Sequence, residues 1–190
     1  MARGIVVHGI PCAVANYTLC PQVRVGDIVE EIRHLAGHIW ERYRKPIVAF
    51  GHSAGGHLTA SLLATDWAQR GLPLRLVPAG LSISGVFDLQ PLIDTSLNAN
   101  LRLDRKEAID VSPLAMVAPS GTHLTAAVGG GESSEFIRQS RIIADIWGRG
   151  GVDTRLDIRR TDNHFTVIAP LADPHSDLTQ TLAAMTKAVC

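Results

Sequence analysis

The spacing of apolar residues along the chain predicts strands alternating with helices. Between Val25 and Tyr43, the residues Val25, Ile28, Val29, Ile32, Leu35, Ala36, Ile39 and Trp40 recur at helical spacing with charges between them. That pattern describes an amphipathic helix packed on a sheet. Short apolar runs read instead as buried strands: Pro46-Ile47-Val48-Ala49-Phe50, Gly80-Leu81-Ser82-Ile83-Ser84, and Thr122 to Val128. Thr154 to Arg160 alternates apolar and polar residues, as a strand near a sheet edge does. Helices are expected at Leu58 to Thr65, at Glu135 to Trp147 and at Leu178 to Val189. At the start, residues 5–7 and 12–15 are apolar runs around His8-Gly9-Ile10-Pro11, and the second resembles a buried strand leaving the sheet. Residues 86–118 carry Pro91, Pro113 and a charged patch from Arg102 to Asp110, too irregular for the sheet; they read as a lid-like excursion. The alternation predicts a single α/β domain over residues 1–190, built on a mostly parallel sheet.

The chemistry gathers around Phe50-Gly51-His52-Ser53-Ala54-Gly55-Gly56-His57. A strand precedes this Gly-x-Ser-x-Gly stretch and a helix follows it, the context in which the pattern means a nucleophile elbow. A serine on so sharp a turn needs very small neighbours; Gly51 and Gly55 are expected to supply the room, and Gly56 to allow close helix–sheet approach. The Ala54 N–H opens the helix and is expected to point where a substrate oxyanion forms.

A serine hydroxyl attacks well only when a base takes its proton and a third group orients that base. His164 follows the last strand, where the base belongs, and Glu132 is the first carboxylate after the preceding strand. Glu135 and Asp162 are the alternative acids; Asp162 stands only two residues from His164, badly placed to reach the far imidazole nitrogen. Gly129-Gly130-Gly131 lacks a phosphate-loop ending and reads as freeing the backbone around the acid. His34 and His38 have metal-compatible spacing, but Leu35 stands where a metalloprotease motif has its glutamate, so no metal is expected. His52 and His57 are read as structural, and Trp40, Trp67 and Trp147 as core or rim.

Composition narrows the setting. The chain has 18 basic and 18 acidic residues, a formal charge of +0 and no long run of either sign, which argues against nucleic acid or a polybasic membrane contact. Three cysteines, Cys12, Cys20 and Cys190, read as free thiols in a reducing compartment. With no apolar run long enough to span a bilayer and no signal-peptide pattern at the start, a cytoplasmic protein is expected.

Five segments occur in order: Asn16-Tyr17-x-Leu19-Cys20-Pro21, Gly51 to Leu58, Ser84-Gly85-x-Phe87-Asp88-Leu89, Glu132-Ser133-x-Glu135-Phe136-x-x-Gln139-Ser140, and His164-Phe165. Together they resemble the arylformamidase (kynurenine formamidase-like) branch of the α/β-hydrolase esterases, over nearly the whole chain from about Gly9. The resemblance implies an α/β-hydrolase fold with helices on both faces of the sheet. It makes Ser53 the nucleophile, Glu132 the acid and His164 the base, with Ala54 in the oxyanion hole. It also implies hydrolysis of a small ester or an aryl formamide such as N-formylkynurenine through an acyl-enzyme, without metal or organic cofactor. A short-chain carboxylic ester is the alternative substrate, and a homodimer is the one macromolecular assembly kept open. Many relatives carry aspartate where this chain has Glu132.

The start of the chain departs from the family. Relatives carry a His-Gly-Gly-x-Trp loop whose N–H groups complete the oxyanion hole; here only His8-Gly9 precedes Asn16, and Ile10-Pro11 follows. Proline has no N–H to donate. Gly9 to Val14 is therefore read as the fourth strand of the usual fold, with the first three strands and the oxyanion loop lacking. Two further readings follow: His8-Gly9 slips into the loop's place, or the chain is a truncated, inactive hydrolase fragment.

Overall fold

The computed structural model describes residues 2–189. These residues form a four-stranded, wholly parallel sheet: β1 (Val48–His52), β2 (Ala79–Ile83), β3 (His123–Gly129) and β4 (Asp153–Arg159), in the order β1-β2-β3-β4. The register sets Gly51 beside Ser82, and Ser82 beside Ala126. β2 and β3 are buried along almost their whole length and, after His123, are apolar or small throughout, as strands covered on both faces must be. β4 ends the order and alternates in exposure over its first residues, as its sequence pattern predicts.

Helices cover both faces. α2 (Val25–Tyr43), α3 (Ala54–Leu63) and α6 (Ser134–Arg149) pack on one side, where Ile32, Leu58, Leu62, Ile143 and Trp147 meet Ala49, Leu124 and Ala126. α1 (Ala2–Val6) and α7 (Asp177–Val189) cover the other, with Ile5, Leu178 and Leu182 against Leu81 and Ile83. α2 occupies the predicted span. It begins where Asp27 accepts the Arg24 N–H at 2.8 Å, and it ends at Arg44 in the left-handed region. Trp67 and Trp147 are fully buried.

Residues 86–118 hold two short helices, α4 (Asn98–Leu101) and α5 (Arg105–Asp110), between irregular turns. Leu89, Leu103, Ala108 and Val111 close a third small core against Val25. His57, buried on α3, shares a 2.8 Å hydrogen bond with the Val111 carbonyl and so ties this layer to the elbow helix.

The amino-terminal expectation is corrected. Residues 2–6 are helical, and residues 10–19 run without secondary structure, so Gly9 to Val14 is not a strand. Pro11 cannot donate to a ladder, and Val14 is 79% exposed, which a strand buried on both faces does not allow. Ile10 and Cys12 instead rest their side chains on the α7-side core, while Tyr17 and Cys20 rest on the other. Among the described residues β1 pairs only with β2. Cys12 and Cys20 are free, and burial pushes both thiols upward in pKa; Cys190 lies outside the described residues.

Candidate active site

The carboxyl ends of parallel strands are where loops can converge on a ligand, and here each strand sends one polar residue there. β1 leads into Ser53, β2 into Ser84, β3 through its glycines into Glu132, and β4 into the loop that carries His164.

Ser53 stands at φ 56°, ψ −115°, a strained conformation for a residue with a side chain. Its backbone is fully engaged: the N–H donates to the Ile83 carbonyl at 2.9 Å, and its own carbonyl accepts from Gly56 and His57 at 2.9 and 3.1 Å. The hydroxyl does not cap α3. Of the neighbouring glycines, Gly51 is the one the turn needs, since a Cβ there would lie 2.3 Å from the Gly55 carbonyl oxygen. Gly56 is needed for approach, because its Cβ would meet the Gly85 Cα at 2.7 Å. Gly55 is a correction to the expectation, for a Cβ at that position meets nothing within 4 Å. Ala54 is exposed and is the first residue of α3, so its N–H is one of those a helix leaves without an internal partner.

His164 Nδ1 lies 2.6 Å from Glu132 Oε2. With Nδ1–H donating to the carboxylate, Nε2 keeps its lone pair and can accept a proton. The loop is turned by Asn163, whose Oδ1 accepts from the N–H groups of Phe165 and Thr166 at 2.9 and 3.1 Å. The His164 ring packs against His52 at 4.5 Å between centroids and against Phe136 at 4.7 Å. Because His52 immediately precedes Ser53, the first of these contacts sets the imidazole beside the elbow. Burial, with His164 next to it, pushes the His52 imidazole below the usual histidine range.

Glu132 is held from the other side. Its side chain is 1% exposed, and Oε1 accepts the Gly129 N–H at 2.8 Å and the Ser84 hydroxyl at 2.5 Å. The triple glycine lets this loop pass against the His164 loop: a Cβ on Gly129 would sit 2.5 Å from the Asp162 carbonyl oxygen, and the Gly131 N–H donates to that same oxygen at 2.9 Å. The other two carboxylates are engaged elsewhere. Glu135 pairs with Arg138 at 2.7 Å and with Gln139 at 2.8 Å, whereas Asp162 meets Arg159 at 3.2 Å and Thr166 at 3.1 Å.

Two participants carried no sign in the spacing. Ser84 is one. Gln139 is the other: buried on α6, its side-chain oxygen accepts the N–H groups of Phe87 and Asp88 at 2.6 and 2.9 Å, fixing the loop after β2. Both fall inside the segments that carry the family resemblance, which was the one available signal. His8 shares a 2.8 Å hydrogen bond with the Pro174 carbonyl in the turn before α7. His34 and His38 are exposed on α2, and no cluster of three metal-ligating side chains occurs among the described residues. No described helix is long and apolar enough to cross a membrane.

No family model matches the sequence. Individual proteins do. The kynurenine formamidase of Danio rerio is 30% identical over 193 residues, 97% of this chain and 65% of that protein. That of Drosophila melanogaster is 28% identical over 94% of this chain and 63% of its own length. This chain thus spans somewhat under two thirds of the curated relatives it matches. Among solved structures, a candidate thioesterase from Silicibacter sp. TM1040 superposes with a TM-score of 0.82 at 34% identity, over 95% of this chain and 67% of that one. An esterase from Pyrobaculum calidifontis shares the fold at a TM-score of 0.73 and 17% identity, over 92% of this chain and 65% of that one. The chain belongs to the α/β-hydrolase superfamily, and kynurenine formamidases are among its homologues, at about 30% identity over most of its length.

Proposed function

We propose that this chain is a serine hydrolase acting on a small aryl formamide or carboxylic ester, with Ser53 as nucleophile, His164 as base and Glu132 as the acid that orients His164. The observation that carries the proposal is the 2.6 Å contact between His164 and the buried Glu132, beside a serine in a strained turn.

The chemistry balances without a cofactor. Ser53 Oγ attacks the carbonyl carbon while its proton passes to His164 Nε2, and the oxyanion forms opposite the Ala54 N–H. Collapse breaks the bond to the leaving nitrogen or oxygen, which takes the proton back from His164. An acyl-Ser53 ester remains, a formyl ester if the substrate is a formamide. Water then repeats the cycle and releases the carboxylic acid. Glu132 keeps Nδ1 protonated throughout and stabilises the imidazolium.

An aryl formamide of the N-formylkynurenine type leads, supported by the formamidase relatives and by the apolar rings of Phe136 and Phe165 beside His164. A short ester is the second reading, supported by the esterase-like architecture. The free Cys12 and Cys20 thiols fit a reducing, cytoplasmic setting. Hydrolysis of N-formyl-L-kynurenine and a short p-nitrophenyl ester, side by side, tests the reading with Ser53→Ala as control. An active wild type and a variant slowed at least about 1000-fold are expected. Equal inertness of both proteins overturns it.

A further inference from the structure

The buried Glu132 carboxylate receives three donors, and one of them is a side chain outside the Ser-His-Glu set. Ser84 is fully buried directly after β2. Its N–H donates to the Ala127 carbonyl at 2.7 Å, and its hydroxyl reaches Glu132 Oε1 at 2.5 Å across 48 residues of sequence. The backbone there has φ 47°, in the left-handed region that glycine enters with less strain. A serine in a strained position, spending its hydroxyl on the carboxylate that faces the base, points to a role in the site.

We infer that Ser84 is a positioning residue of the hydrolytic site, one that locks the Glu132 carboxylate so that Oε2 faces His164. The inference rests on the serine-hydrolase reading above. A carboxylate can swing about its last bond and share either oxygen with the imidazole. With Oε1 tied to both Ser84 and the Gly129 N–H, that rotation is closed and one oxygen is left for Nδ1. The same two bonds satisfy lone pairs that burial would otherwise leave unpaired. The titratable groups facing His164 are Glu132 from the loop after β3 and His52 from β1; on its own loop Asp162 is occupied by Arg159 and Thr166.

Ser84→Gly is the informative variant, because it removes the hydroxyl while relieving the backbone; Ser84→Ala is the second. With N-formyl-L-kynurenine, kcat is expected to fall about 10- to 100-fold in both, the rate equivalent of one charge-assisted hydrogen bond, with KM within about twofold. The NMR signal of the His164 Nδ1–H proton, which lies in the 2.6 Å bond to Glu132, supplies a readout independent of turnover. Without Ser84, Oε1 and Oε2 compete for the His164 Nδ1–H, so that signal is expected to shift or broaden. A Ser84→Gly protein with wild-type kcat and an unchanged His164 Nδ1–H signal overturns the inference. Failure of the hydrolase reading looks different: the wild type turns over neither substrate, or Ser53→Ala matches it, while the His164 Nδ1–H signal still decides whether Ser84 acts on the Glu132–His164 pair.

Discussion

His164 Nδ1 and Glu132 Oε2 stand 2.6 Å apart across 32 residues of chain, joining an imidazole 27% exposed to a carboxylate almost wholly enclosed. The enclosure excludes water from the carboxylate while leaving the imidazole accessible, the asymmetry that the proposed roles of general base and orienting acid call for.

Glu132→Gln tests that asymmetry. Ser84 and Gly129 both donate to Oε1, so the amide oxygen of the glutamine takes that place and its NH2 turns toward His164. The imidazole then accepts at Nδ1 and carries its proton on Nε2, where it cannot serve as base. A fall in kcat of about 10,000-fold at neutral pH is expected, with the fold kept. Retention of a tenth of the wild-type rate argues against Glu132 as the orienting acid.

Two glycines of the same motif are expected to behave oppositely. Gly51→Ala drives a methyl to 2.3 Å from the Gly55 carbonyl oxygen, and neither backbone can retreat. It should cost about 3 kcal/mol, read as a lower denaturant midpoint at unchanged slope. Gly55→Ala meets open space inside the first turn of α3 and should change stability by less than about 1 kcal/mol.

Stability should fall on mild acidification, and His57 is one cause. Burial holds its imidazole below the usual 6.5, so the folded protein keeps it neutral where the unfolded chain protonates it. The unfolded state therefore binds more protons below about pH 6.5. The contribution is complete above that pH and is lost as pH falls from there toward the folded value. His57→Gln, which keeps a donor for the Val111 carbonyl, should flatten the denaturant midpoint between pH 7 and 5 relative to wild type. An identical pH slope in the two proteins rejects this cause.

Much of the architecture was legible because periodicity reports burial. The helix at Val25–Tyr43 needed only its apolar stripe, and β2 and β3 their runs of apolar and small residues. The same rule misled at Gly9 to Val14, where a run of small apolar residues rests side chains on a core without joining a ladder. Local pattern measures how apolar a segment is, not whether its N–H groups find partners.

What the sequence by itself determined was the alternation of strands and helices, the strand-serine-helix context of Ser53, and the position of Glu132 and His164 after successive strands. Each depends on neighbours a few residues apart, so it is written in spacing. Only the tertiary structure decided which carboxylate meets His164, because Glu132, Glu135 and Asp162 are all carboxylates and differ in where the folded sheet delivers them. It alone brought Ser84 to Glu132 and Gln139 to Phe87, contacts spanning 48 and 52 residues that form when parallel strands align their carboxyl ends. Such contacts arise from chain closure over long loops, and no short-range pattern records them.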